Sequence, residues 1–174
     1  MGPTVAAAVL VPVFRDAERA LTLVLVRRRE GIVHGGQLAF PGGKCESIDR
    51  TPADTALRET REEIGITADA VRIVQQLPVV NTLTTGFTIT PFLAHIHPPA
   101  VWWCAQEEVA EVLQIPLASL LRKDARDVVI EHLPGRDSPR VIPFYRVGQD
   151  RLWGATYRIL HPLIPRLAAQ QWSF

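Results

Sequence analysis

Three glutamates, Glu59, Glu62 and Glu63, fall within little more than one helical turn of the segment TALRETREEIGI. On a helix, residues three and four apart are surface neighbours, so Glu59 faces both of the others, and each like-charged pair costs roughly 0.2–0.5 kcal/mol. Arg58, solvent or a bound cation can offset that repulsion. Magnesium and manganese are hard cations that prefer carboxylate and water oxygens and commonly act beside substrate phosphates. Held here, such a cation polarises a phosphoryl oxygen and activates water, leaving one carboxylate to take a proton. The bland alternative is a solvated helix face with an Arg58 to Glu62 salt bridge worth roughly 0.3–0.5 kcal/mol. Context favours chemistry: FPGG, residues 40–43, lies just upstream, and its glycines let main-chain groups approach a ligand or metal closely.

The acids need a helix to carry them, and residues 51–65 supply its signals. Thr51 suits the N-cap, Pro52 the first helical position, Asp54 the capping-box position and Gly65 a left-handed C-cap. Ala53, Ala56, Leu57, Thr60 and Ile64 follow the spacing of a buried face, which leaves the glutamates on an accessible edge. Upstream, VAAAVLVPVF and LTLVLVRR read as strands joined by the charged RDAERA, followed by a short strand in QLAFPGG. Downstream, AVRIVQQLPVV and GFTITPFLAHI read as strands and AQEEVAEVL as a short helix. DVVIEHL and RVIPFYRV form a late hairpin, and WGATYRILHPLIPRL is a helix broken or kinked at Pro162 and Pro165. Strands leading into a central helix, returning as strands and ending in helix predict an α/β sandwich with a mixed central sheet.

Composition narrows the partners. The 174 residues fit one domain, 1–174. Nineteen basic residues nearly balance 18 acidic ones without a long run of one sign, which argues against a general nucleic-acid or polybasic membrane binder and for a small-molecule partner. Cys45 and Cys104 are the only cysteines. Neither sits in a CxxC or Cys/His cluster, so the expectation is two free thiols in a reducing, cytoplasmic setting, with no disulfide or zinc site. The apolar N-terminus lacks the features of a secretory signal, and no apolar run reaches the ~20 residues that span a bilayer. The sequence leaves room for a homodimer.

GGKCESIDRTPADTALRETREEIGI resembles the Nudix box, whose usual pattern is Gly, five residues, Glu, seven residues, then Arg-Glu-apolar-x-Glu-Glu-x-Gly-apolar. Arg58, Glu59, Glu62, Glu63, Gly65 and Ile66 match the second half, with Thr60 at a usually apolar position. The first half is one residue longer, Gly43 and Arg58 being 15 positions apart, so Asp49 or Glu46 substitutes for the first glutamate. The resemblance implies the Nudix α/β/α sandwich and hydrolysis of a nucleoside diphosphate linked to another group, using Mg2+ or Mn2+. It also implies that Glu59 and Glu63 are principal metal ligands or, for one of them, the base. Glu62 then lies near the metal, the Gly43 carbonyl completes the shell, and Arg58 orients a glutamate. Which glutamate is the base stays open.

A narrower likeness covers residues 21–160. LVRRREGIVHGGQLAFPGGKCESID is similar to the signature of Nudix coenzyme A diphosphatases, matching at Arg27, Gly36 and residues 40–43, while Ile32 stands where a second arginine is usual and Arg28 where Ser or Ala is usual. This likeness places Arg27, Arg28, Phe40 and Gly42 on the substrate side. An arginine fork binds phosphate bidentately, which Ile32 cannot do. Arg28, Arg29 or Lys44 compensates, or is exposed strand-end charge. Glu108 and Glu111 are further carboxylates for the metal side or a solvated face. Trp102 and Trp103 stack an adenine or pack in a core or interface. His34 aligns with a subgroup histidine, and Cys45, without a paired histidine, is not expected to be a nucleophile. Coenzyme A is the preferred substrate, giving adenosine bisphosphate and phosphopantetheine. The alternatives are ADP-ribose or another nucleotide sugar and, in a different class, a catalytically silent ligand-binding protein.

Overall fold

The computed structural model describes residues 4–31, 34–82, 85–132 and 138–174. In chain order the strands are β1 (Val5–Arg15), β2 (Leu21–Arg28), β3 (Leu38–Ala39), β4 (Gly42–Lys44), β5 (Val71–Gln76), β6 (Val80–Asn81), β7 (Phe87–Ile96), β8 (Val109–Pro116), β9 (Arg126–Glu131), β10 (Arg140–Val147) and β11 (Asp150–Leu152). The helices are α1 (Pro52–Ile64), α2 (Leu117–Leu120), α3 (Gly154–Leu160) and α4 (Ile164–Ala168).

The main sheet runs β3-β2-β1-β7-β5, with β4 paired to β1, β6 to β7 and β8 to β2. It is mixed: β1 lies parallel to β7, whereas β2 and β4 run antiparallel to β1. The apolar strands β1, β2 and β7 are buried on both faces, and their two-residue period sorts alternate side chains into two cores. Val11, Val13, Leu23, Leu25 and Leu93 join Leu160 and Leu167 of the C-terminal helices and Leu163 of the turn between them. Leu10, Val24, Val26 and Ala94 join Ala56 and Ile64 of α1. The result is the expected α/β/α sandwich, with α1 on one face and α3 and α4 on the other. Each fully buried Leu, Val or Ile contributes roughly 1.5–3 kcal/mol.

Pro162 lies in the break between α3 and α4, and Pro165 sits at the start of α4, where its missing N–H costs no helical bond. The late hairpin also forms: β9 and β10 pair antiparallel, and β11 joins β10 as a second, three-stranded sheet. The short helix expected in AQEEVAEVL is not what forms. Only one turn, closed by N–H groups of Glu108 and Val109 on the Ala105 carbonyl, precedes strand β8. Val109, Val112 and Leu113 suit either period, and pairing along β2 from Thr22 to Arg28 decides for the strand. Among the described residues no helix is long and apolar enough to cross a membrane.

Candidate active site

Helix α1 is capped as its sequence dictates. The Thr51 hydroxyl accepts the Asp54 N–H while the Asp54 carboxylate accepts the Thr51 N–H, and Gly65 closes the helix with φ 74°. Thr60 is fully buried, and its hydroxyl donates to the Ala56 carbonyl at 2.6 Å, which satisfies a polar atom at a usually apolar position.

The accessible acid edge expected from the sequence needs correction. Glu62 does face solvent, but Glu59 is half-buried and Glu63 is only 2 % exposed. The cause is the glycine turn, which comes against the helix more closely than side chains allow. Gly42 has φ 148°, and a Cβ there would lie 2.3 Å from the Ala8 carbonyl oxygen on β1. A Cβ on Gly43 would lie 2.5 Å from the Glu59 carboxyl. With both side chains absent, the Gly42 N–H donates to Glu63 Oε2 at 2.9 Å.

Burial shapes the acids' titration. Removal from water pushes the Glu63 carboxyl up to about 7, against the opposing pull of the Gly42 N–H and the Arg28 charge, and Glu59 and Glu108 add repulsion. Glu59 is also raised, again chiefly by burial, with Arg58 opposing. Arg28 thus lies within electrostatic reach of Glu63, and Glu108 within reach of both acids.

Arg58 organises the rest of the helix's charge. It donates to Asp49 through Nε and Nη2, each at 3.0 Å, to Glu62 at 3.1 Å and to the Lys44 carbonyl at 3.1 Å, and it ion-pairs with Glu59 at 3.0 Å. Asp49 also accepts the Thr55 hydroxyl and the Glu46 N–H, and these bonds, led by Arg58, hold its carboxyl well below the usual range. Of the two candidates for the displaced glutamate, Asp49 is therefore the one that engages the helix. Glu46 contributes only main-chain groups, that N–H donor and a carbonyl that accepts the Asp49 N–H at 3.0 Å.

Several predicted substrate residues sit elsewhere. Phe40 is 3 % exposed and packs in the same core cluster as Leu38. It stabilises the turn and offers no face to a ligand, which corrects its assignment to the substrate side. Arg27 pairs across the strands with Glu111 at 3.1 Å and forks onto Asp150 at 2.7 and 2.9 Å. Glu111 is thereby turned away from the glutamates. Asp150 carried no signal beyond its place after Gly148 and Gln149, the two-residue turn between β10 and β11. The Arg29 guanidinium donates to the Gln106 carbonyl, and Lys44 Nζ lies 5.9 Å from the Phe87 ring centroid. His34 occupies a turn with φ 63°. Ile32 lies outside the described residues. Cys45 and Cys104 are free thiols.

Among the described residues no three His, Cys, Asp or Glu side chains stand together as a ready cation cage. Arg58 engages Glu59 and Glu62, and Gly42 engages Glu63. The donor chemistry fits a hard divalent cation nonetheless. Two desolvated carboxylates border the bare Gly43 backbone, and magnesium needs only one or two carboxylates beside its waters and substrate phosphates.

Comparison with known proteins agrees with this geometry. A NUDIX domain model matches residues 4–130. NudL of Klebsiella pneumoniae, described as an uncharacterized Nudix hydrolase, is 35% identical over 168 residues, covering 94% of this chain and 83% of its own. A MutT/nudix family protein from Enterococcus faecalis has a similar structure, with TM-score 0.64 at 18% identity over 97% of this chain and 63% of its own. The MutT protein from Methanosarcina mazei matches with TM-score 0.60 at 17% identity over 98% and 97%. The glycine turn, the capped acid helix and these similarities lead to one conclusion: the chain belongs to the Nudix family and is a hydrolase acting on phosphoanhydride bonds.

Proposed function

We propose that the chain hydrolyses the diphosphate bond of a nucleoside diphosphate derivative, coenzyme A or a related compound, with Mg2+ or Mn2+ as cofactor. The observation that carries the reading is the desolvated Glu59 and Glu63 pair set against the Gly42 and Gly43 turn. Burying two carboxylates side by side costs folding energy unless a cation offsets their charge. Glu59, Glu63 and the Gly43 carbonyl would hold the metal, with Glu62 and Glu108 close by. When bound, it supplies charge neutralisation at a phosphoryl oxygen and a water of lowered pKa. The chain's own residues do the rest. Arg58, locked by Asp49, fixes Glu59 and Glu62. The Gly42 N–H aims Glu63, Arg28 supplies positive charge beside it, and Glu59 or Glu63 accepts the proton of the attacking water.

The stretch GGQLAFPGG supports the coenzyme A preference. A second reading, ADP-ribose or another nucleotide sugar, is favoured by the ion pairs of Arg27, which occupy the fork that would otherwise bind an extra phosphate. Purified protein supplied with magnesium and then manganese, and assayed on coenzyme A, dephospho-coenzyme A and ADP-ribose, separates them. The highest kcat/KM on coenzyme A supports the first reading, and equal or higher values on ADP-ribose replace it with the second. In isotopically labelled water the label should enter a phosphate of one product. Label in an alcohol product overturns both readings.

A further inference from the structure

Beside the acid helix, residues 102–109 wall a cleft of about 550 Å³, lined by Arg29, Trp102, Trp103, Cys104, Gln106 and Val109. The two tryptophans differ. Trp102 packs against the core cluster that contains Ala56 and Ile64. Trp103 rests on the cap of α1, its Cβ only 3.1 Å from where a methyl on Gly65 would lie, and remains 55% exposed. One indole anchors the segment and the next is presented to solvent over a cleft. An indole exposed beside a cleft is a flat apolar surface with a polar edge that a ring can cover.

The cleft and the glutamates share one wall. The Ala105 N–H donates to the Glu63 carbonyl at 2.9 Å, and the Glu108 charge is felt by both Glu59 and Glu63. On the opposite side the Arg29 N–H donates to the Glu108 carbonyl at 2.8 Å, and its guanidinium is tied to the Gln106 carbonyl. That guanidinium keeps further N–H donors beyond this bond. An aromatic plate, a fixed guanidinium and an adjoining carboxylate site together match a nucleotide, whose base stacks while its phosphates reach the acids.

We propose that this cleft is the nucleobase subsite and takes a purine ring stacked on Trp103, with Arg29 at its edge. The inference rests on the diphosphatase reading above, and its test is separable from it. Protein without added metal is titrated with adenosine monophosphate and, in parallel, with ribose 5-phosphate, while tryptophan emission is followed. Saturable quenching by adenosine monophosphate and not by ribose 5-phosphate is expected. Trp103→Phe should retain binding with less quenching, and Trp103→Ala, followed by calorimetry, should bind adenosine monophosphate roughly fivefold to a hundredfold more weakly. On an adenine-containing diphosphate substrate, Trp103→Ala should raise KM more than it lowers kcat. Equal binding of the two phosphates, or wild-type affinity in Trp103→Ala, overturns the proposal. So does a dimer that Trp103→Ala dissociates without changing nucleotide affinity, because a second copy would then be what covers the ring. If no diphosphate is hydrolysed at all, the diphosphatase reading falls while the titration still decides the subsite.

Discussion

Arg58 and Arg27 each spread a guanidinium over several carboxylates, yet the acids of Arg58 lie within nine residues of it, whereas those of Arg27 are 84 and 123 residues away. The first network is a device of one helix and the turn before it. It fixes where the glutamates point and so belongs to the site. The second ties the end of β2 to β8 and to β11, joining the three-stranded sheet to the main one. A similar chemical motif thus orients reactive groups in one place and fastens layers in the other. What separates them is whether a buried carboxylate lies next to the arginine's partners. Substitutions in each network should differ accordingly.

The largest effect is expected inside the first region. Glu63→Gln keeps the shape and the contact with Gly42 while removing the charge, and turnover of any accepted diphosphate should fall by about 10²-fold or more. Circular dichroism should remain that of the wild type. Near-normal turnover with saturating magnesium would place the essential acid elsewhere.

The same side chain makes a pH prediction whose sign follows from burial. The folded-state pKa of Glu63, about 7, exceeds the ordinary 4.5, so the native chain binds this proton more tightly than the unfolded chain does. The stabilisation is complete below pH 4.5 and is lost as pH rises through about 7. Across that window the metal-free protein should lose on the order of 3 kcal/mol relative to Glu63→Gln. Melting curves of both proteins at several pH values measure the difference, and adding magnesium at pH 8 should restore part of it. Parallel pH profiles for the two would show that the carboxyl is not held out of water.

Third in size is the Arg58 lock. Asp49→Asn leaves the helix, its caps and all three glutamates in place but removes the main partner of Arg58. Outer groups that orient a metal's ligands typically matter 10- to 100-fold. A drop of about that size in kcat/KM is expected, together with weaker magnesium dependence. Glu46→Gln should change little, because only its backbone N–H and carbonyl are engaged. A reversal of the two would make Glu46 the substitute for the displaced glutamate.

This contrast also marks what was legible in the sequence. Caps, glycine turn and acid spacing are local, so α1 and the membership of its cluster could be read from residues 40–66. The strands β1, β2 and β7 were legible because apolar runs buried on both faces need no partner to declare themselves. The depth of Glu63 was not, since it depends on how closely two glycines bring β4 against the helix. AQEEVAEVL misled because its apolar spacing serves helix and strand alike, and its partner strand lies some 80 residues earlier. Phe40 sits in a motif that reads as ligand-binding, yet just past the end of β3 it packs into the same core cluster as Leu38. Arg27 has a phosphate-binding side chain at a signature position, and only the fold shows what it meets.

The smallest expected effect, and the one that tests the comparison most sharply, lies at Arg27. If it fastens β2 to β11, Arg27→Ala and Asp150→Ala should each lower the melting temperature, and the double variant should lose less than the sum. The coupling expected is ~1 kcal/mol, because a bidentate fork is strong for an ion pair but roughly a quarter of each side chain still faces water. Loss of Arg27 should then reduce kcat/KM by similar factors for coenzyme A, dephospho-coenzyme A and ADP-ribose, since none of them is singled out by a contact that holds two sheets together. An arginine that recognises the ribose phosphate behaves differently. Its removal would depress coenzyme A turnover alone, Asp150→Ala would leave stability unchanged or raise coenzyme A turnover by freeing the fork, and the two substitutions would not couple in melting temperature. The measurement is a double-mutant cycle read in both stability and kcat/KM. A selective loss on coenzyme A without stability coupling would move Arg27 from the fastening network to the substrate side, so that both arginines would belong to the site.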